Sequence, residues 1–226
     1  MVQILLWMLL ISEIIYSQNR QVCNWNWCLE WAEKKAVASN KSEQQSYTIY
    51  EYENTEAQAE SNNGYWNESN YTMNSIVDNY VSYTYSYYSE GGAHPTYGSI
   101  FCTINAATED TVNLLDIFNE NDLIEALKND EFIKESVSNV EEIESLEDLQ
   151  RNTINTCAYN LSKDILISSF SFHHTRDSLV AIRIGIPYGC QADRGKFTQI
   201  GIYLPIPAHM KNDFKQAVLK KTLMKD

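Results

Sequence analysis

The chain has 226 residues, of which 44% are hydrophobic and 12% aromatic, and its formal net charge is −13. This composition is typical of a folded protein with a real core, not of a disordered chain. The acidic balance argues against nucleic-acid binding, since phosphate contacts need a concentrated positive surface, whereas a basic protein would be attracted.

The first segment has the pattern of a secretory leader. Ile4–Ile11 is an unbroken apolar run, far shorter than the roughly 20 residues that span a bilayer, and the small Ser17 follows as a cleavage position. We therefore predict a signal peptide over residues 1–17, a secreted or periplasmic location, and no membrane span after cleavage. The alternative is an uncleaved N-terminal anchor or a misassigned start.

Residues 18–75 are rich in Asn, Gln, Ser and Glu, which predicts a polar N-terminal region that is only partly ordered. Within it, the apolar spacing over Cys28–Ala38 predicts a short helix, and Tyr47–Tyr52 predicts a strand.

Five cysteines allow two disulfides and leave one thiol over, and pairing is favoured over metal binding in an exported chain. Cys23 and Cys28 lack the two-residue spacing of redox and zinc motifs, so we expect a local disulfide between them. A link from Cys102 to Cys157 or to Cys190 is possible, and the sequence does not choose between these.

An aromatic hairpin follows. Tyr83, Tyr85 and Tyr87 should project from one face of a strand, because strand side chains alternate. A second strand, from Tyr97 to Asn105, is expected to return beside the first.

The tip of this hairpin is expected to be rigid. Gly91 and Gly92 supply the turn, and Pro95 fixes the chain so that His94 is presented at the tip. The candidate binding residues are His94, Tyr83, Tyr85, Tyr87 and Tyr97. The alternatives are that His94 only holds the turn and that the tyrosines only pack a helix against the sheet.

The hairpin opens an organised region over residues 76–208, before a basic helix or tail at 209–226. Helices are predicted to begin near Asn121 or Asp122 and at Ser145, where Asp148 has capping-box spacing. Strands are predicted at three further places, which are Ile165–Phe172, Leu179–Tyr188 and Phe197–Leu204.

No nucleophile elbow, zinc-protease, P-loop or dinucleotide motif occurs in the sequence. His173 and His174 are adjacent on a predicted strand, so they should point to opposite faces and not share an ion. We therefore predict no catalytic residues, no metal and no cofactor. The alternative is a hydrolase that uses His94 with a nearby acid.

The segment Tyr87–Tyr97 (YYSEGGAHPTY), followed by Leu114–Phe118 (LLDIF) and a helix, resembles an extracellular domain of unassigned function. That domain is shared by RsiV-type anti-sigma factors and PdaC-type peptidoglycan deacetylases. The resemblance covers about residues 76–207 and implies an α+β fold, with an antiparallel sheet and helices packed on one side. In the same family the later hairpin corresponds to Phe172–Tyr188.

The resemblance also implies a cell-envelope setting. In the anti-sigma branch this domain senses lysozyme, a basic protein that the acidity of this chain would suit. No deacetylase domain follows, so that chemistry is not expected here. We therefore expect a non-enzymatic envelope protein that binds a basic protein such as lysozyme, or peptidoglycan.

Overall fold

The computed structural model describes residues 19–32, 35–51, 66–90, 95–193 and 197–224. The chain divides into two compact units, within residues 1–55 and 56–226. The described residues form three antiparallel sheets and five α-helices, which confirms the α+β class. None of the helices in these ranges is long and apolar enough to cross a membrane.

The first unit is a four-stranded meander. Its strands, in spatial and chain order, are β1 (Asn19–Cys23), β2 (Trp27–Ala32), β3 (Lys35–Asn40) and β4 (Ser46–Glu51). The predicted disulfide joins Cys23 to Cys28, which face each other across the β1–β2 pair.

The strand predicted near residue 47 is confirmed as β4, but the helix predicted over Cys28–Ala38 is wrong. Leu29 and Trp31 are buried on either side of the exposed Glu30, which is the period of two of a strand.

The second unit contains two sheets. The first has the order β5 (Trp66–Val77), β6 (Tyr80–Glu90), β7 (Thr96–Asn105) and β8 (Asp110–Thr111). β6 and β7 pair from Tyr80 opposite Asn105 to Ser89 opposite Thr96, so the predicted aromatic hairpin is confirmed.

The other sheet has the order β11-β10-β9, formed by β9 (Phe170–Arg176), β10 (Leu179–Pro187) and β11 (Phe197–Pro205). The strands predicted from Leu179 and from Phe197 are confirmed. The predicted strand Ile165–Phe172 is wrong in its first half, because residues up to Ser168 are helical and the strand begins at Phe170.

The five helices are α1 (Glu120–Asn129), α2 (Glu131–Ser136), α3 (Leu146–Arg151), α4 (Lys163–Ser168) and α5 (Lys211–Lys220). The capping box expected at the start of α3 is present, since the Asp148 carboxylate accepts from the backbone N–H of Ser145 at 2.8 Å. The basic helix expected after residue 209 is α5.

The core of the second unit lies between the helices and the inner face of the β9–β11 sheet. Phe172 is fully buried at its centre, and its ring meets those of Phe214 and Phe118 edge to face, with centroids 5.3 and 6.4 Å away. Every second residue of β10 from Val180 to Ile186 points into this core.

The second disulfide joins Cys157, after α3, to Cys190, after β10. Cys102 is a free thiol, so neither of the two links considered for it forms. A Cβ on Gly189 would lie 1.7 Å from the carbonyl oxygen of Thr156, so the glycine lets the two segments approach closely enough to be bridged.

The two sheets of this unit are joined by a buried chain of hydrogen bonds. The backbone N–H of Phe172 donates to Ser82 Oγ at 3.2 Å, Ser82 Oγ lies 2.8 Å from Thr103 Oγ1, and Thr103 Oγ1 donates to the Phe170 carbonyl at 2.9 Å. Because the Thr103 proton points to Phe170, the Ser82 hydroxyl must donate to Thr103. The two hydroxyls thus satisfy the Phe172 N–H and the Phe170 carbonyl on the outer edge of β9, as a neighbouring strand would.

Candidate binding site

The β6 tyrosines lie where strand alternation puts them. Tyr83, Tyr85 and Tyr87 share one face of the β5–β8 sheet, and Tyr71 of β5 lies opposite Tyr85 on that face. Ring centroids are 4.8 Å apart for Tyr71 and Tyr85 and 5.9 Å apart for Tyr85 and Tyr87. We call these four residues the tyrosine row.

Tyr97 does not belong to this row. It lies directly opposite Tyr88, so its side chain leaves the sheet on the other face. Tyr97 is 53% exposed, whereas the tyrosines of the row are half-buried. Pro95 is exposed just before β7. The other predicted residues of the tip, Gly91, Gly92 and His94, lie outside the described residues.

Tyr87 and Tyr97 nevertheless line one cleft, at the side of β7. It has a volume of about 290 Å³, and we call it the aromatic cleft. Its rings and apolar walls come from Tyr87, Tyr97, Ile100, Phe101, Ile165, Pro187, Tyr188 and Phe197, and its small polar groups come from Ser99, Cys102, Thr111, Ser168 and Ser169.

A glycine shapes one end of the cleft. A Cβ on Gly98 would lie 2.7 Å from the Tyr87 hydroxyl oxygen and 2.8 Å from its ring carbon Cζ. Only a residue without a side chain lets the Tyr87 ring lie across β7 at this point.

The described lining of the cleft is electrically neutral. Burial raises the pKa of the Tyr87 phenol, and the nearby Tyr188 and Tyr85 add to the effect. Burial also raises the pKa of the Cys102 thiol, against a smaller opposing effect of a hydrogen bond with Tyr83. Both groups are therefore protonated near neutral pH, and Cys102 is a poor nucleophile, since only the thiolate attacks.

The edge of β7 beside the cleft is open. β8 pairs only with Ile104 and Asn105, so among the described strands none adjoins the part of that edge from Thr96 to Phe101. Exposed backbone donors and acceptors at such an edge suit a polar or extended ligand.

The prediction that the adjacent histidines point to opposite faces of the strand is wrong. The β9–β10 register passes from Thr175 opposite Val180 to Phe172 opposite Ile182, so both His173 and His174 face Ala181. This is a β-bulge, which breaks the alternation and brings the two Nδ1 atoms to 2.7 Å. The bulge depends on pairing with β10, and nothing in the local sequence marks it.

Among the described residues, Cys157, Cys190 and Asp193 lie close enough together to hold a metal ion. The two cysteines are bonded to each other, so neither sulfur is a thiolate that could bind an ion.

No family model and no curated protein matches this chain. The resemblance to the RsiV-type and PdaC-type domain therefore stays a hypothesis that rests on the residues themselves.

Proposed function

We propose that this protein is an exported, non-enzymatic binding module of the cell envelope, and that its aromatic cleft contacts a protein or glycan ligand. The observation that carries the proposal is the cleft itself, a mostly apolar space of about 290 Å³ lined by Tyr87, Tyr97 and Tyr188. Tyrosines give large, rigid contact areas with a polar tip, so they are favoured in recognition surfaces.

The chemistry of the lining supports binding over catalysis. The cleft presents hydroxyls and rings, and its thiol is held protonated, so no group in the described lining is activated to attack a substrate or to take its proton. A ring or apolar side chain of the ligand would fill the cleft, and the open edge of β7 would accept its polar groups.

Compartment and charge support an envelope setting. Two disulfides are typical of an oxidising compartment. The net charge of −13 favours a basic protein such as lysozyme through long-range attraction. The tyrosine rings that line the cleft also suit the sugars of peptidoglycan.

The test is calorimetric titration of the full protein with lysozyme and, separately, with soluble peptidoglycan fragments, at low and at physiological salt. We expect saturable binding to one of them. Attraction to lysozyme should weaken with salt, while stacking of peptidoglycan sugar rings on the tyrosines should not. Absence of binding to both at low salt would overturn the proposal.

Variants locate the contact. Tyr97→Ala should weaken binding about tenfold, equivalent to ~1.4 kcal/mol, because an exposed ring is removed at little cost to the fold. Gly98→Ala should also weaken it, because the new methyl displaces the Tyr87 ring. Tyr203→Ala is the matched control, since Tyr203 is exposed outside the cleft; an equal loss there would exclude the cleft as the contact.

A further inference from the structure

The bulge in β9 creates a pair of imidazoles on one face of the β9–β11 sheet. His173 and His174 both lie opposite Ala181, and on the next strand Tyr203 lies opposite the same alanine. The three side chains therefore form one cluster, away from the core that Phe172 enters on the other face.

Distances within the cluster are short. Nδ1 of His173 lies 2.7 Å from Nδ1 of His174, and Nε2 of His174 lies 2.9 Å from the Tyr203 hydroxyl oxygen. The pair shares one proton between its Nδ1 atoms, because a contact of this length between two bare nitrogens, or between two N–H groups, would be repulsive.

We propose that this histidine pair is a binding site for a divalent transition metal, with Cu²⁺ the preferred ion. In this site the metal replaces the shared proton and binds Nδ1 of both His173 and His174. Imidazole nitrogen is a common ligand for copper, nickel and zinc, and at a given site Cu²⁺ binds most tightly of the divalent first-row ions.

Geometry favours copper over zinc. With metal–nitrogen bonds of about 2.0 Å, two neighbouring ligands in a square-planar site are ~2.8 Å apart, whereas in a tetrahedral site they are ~3.3 Å apart. The observed separation of 2.7 Å is that of the hydrogen bond, and it needs to widen less to reach the square-planar value, which is typical of Cu²⁺, than to reach the tetrahedral one. Both rings must turn from the hydrogen-bonded arrangement so that their lone pairs converge on one ion instead of on each other.

Tyr203 acts as a positioning residue. When His174 donates its Nε2 proton to the phenol oxygen, the lone pair of that ring is fixed on Nδ1, as in metal sites where the second ring nitrogen is hydrogen-bonded. For the ion to bind, the proton shared at Nδ1 must move through solvent to Nε2 of His173, which frees both Nδ1 lone pairs for the metal. His174 and Tyr203 are partly exposed, so an ion can reach the cluster from solvent.

The test uses the full-length protein, stripped with chelator and titrated with Cu²⁺. We expect one equivalent to bind and the electron paramagnetic resonance spectrum to show hyperfine coupling to two nitrogens. His174→Gln should abolish this two-nitrogen signal. His94→Gln and His209→Gln, which remove the other two histidines of the chain, should leave it unchanged.

Tyr203→Phe separates positioning from ligation, because it should keep both nitrogens in the spectrum while weakening Cu²⁺ affinity about 10-fold or more. His173 is buried, so a variant there could misfold; in the wild type, Cu²⁺ should instead broaden the ring resonances of His173 and His174 before any other histidine. A two-nitrogen signal that persists in His174→Gln, or broadening that begins elsewhere, would overturn the proposal.

Discussion

The buried chain of hydrogen bonds through the Ser82 and Thr103 hydroxyls, which we call the hydroxyl chain, predicts a specific pattern of stability in variants of these two residues. Both residues are fully buried, and together they serve the N–H of Phe172 and the carbonyl of Phe170. Ser82→Ala leaves one buried group unpaired, the N–H. Thr103→Val leaves two, the Phe170 carbonyl and the Ser82 hydroxyl.

The magnitude follows from counting these groups. An unpaired buried polar group costs about 1–3 kcal/mol, so Ser82→Ala should lower the free energy of unfolding by about that amount and Thr103→Val by up to twice as much. The double variant again leaves two groups unpaired, the N–H and the carbonyl. Its cost should therefore be smaller than the sum of the single costs by about 1–3 kcal/mol.

The assay is urea unfolding of the wild type, the two single variants and the double variant, with the disulfides kept intact. Unfolding is monitored by circular dichroism, because the second unit is rich in strands. Ser86→Ala is a matched control, since Ser86 pairs only side chain to side chain with Ser99, at 2.9 Å, on the same face of the sheet. It should cost less than about 1 kcal/mol. If the losses of unfolding free energy in the two single variants add up to the loss in the double variant, Ser82 and Thr103 do not share one chain of hydrogen bonds.

Three further predictions test the fold. Cys157→Ser should lower the free energy of unfolding by roughly 3–4 kcal/mol and Cys23→Ser by about 2 kcal/mol, because the bonds close loops of 33 and 5 positions. Equal losses of unfolding free energy in the two variants would contradict this. Burial and, after it, a neighbouring carboxylate raise the pKa of Asp213, so its ionisation opposes folding as pH rises through that pKa. Asp213→Asn should therefore raise the melting temperature at pH 7 and lose this advantage near pH 3; the opposite trend would contradict it. Gly185→Ala should destabilise by about 1–3 kcal/mol, because its Cβ would lie 2.9 Å from a serine hydroxyl and 3.1 Å from a phenylalanine ring, whereas Gly201→Ala, with nothing within 4 Å, should be neutral within about 0.5 kcal/mol in the same unfolding assay.

Local signals predicted the elements that local chemistry specifies. The alternation of Val180, Ile182 and Ile184 identified β10, because one face of that strand enters the core. Ser145 with Asp148 identified the start of α3, because both cap interactions lie within four residues.

Errors arose where the same local pattern serves two structures. Ile165–Ser168 is apolar and rich in β-branched residues, which favours a strand, yet it forms α4 with Leu166 buried. Burial in the core outweighs the weak preference of a short segment. In the part of β2 that was predicted as helix, the two large apolar residues Leu29 and Trp31 were too few to distinguish a period of two from a helical spacing.

The candidate sites depend on contacts that a linear pattern does not contain. The three tyrosines that β6 contributes to the row were predictable because they lie on one strand. The cleft also needs Ile165, Pro187 and Phe197, which come from three other elements. The histidine pair was missed because a bulge is set by the register with the neighbouring strand.

The hydroxyl chain also bears on the cleft. One wall of the cleft comes from β7 and another from the end of β10 and the start of β11, and the Phe101 and Phe197 rings meet between them with centroids 6.5 Å apart. Thr103 holds β7 to Phe170 of β9, which pairs with β10. Loss of the Thr103 hydroxyl should therefore weaken ligand binding as well as stability, whereas loss of the exposed Tyr97 ring should weaken binding alone. That difference separates residues that form the cleft wall from the residue that holds the walls together.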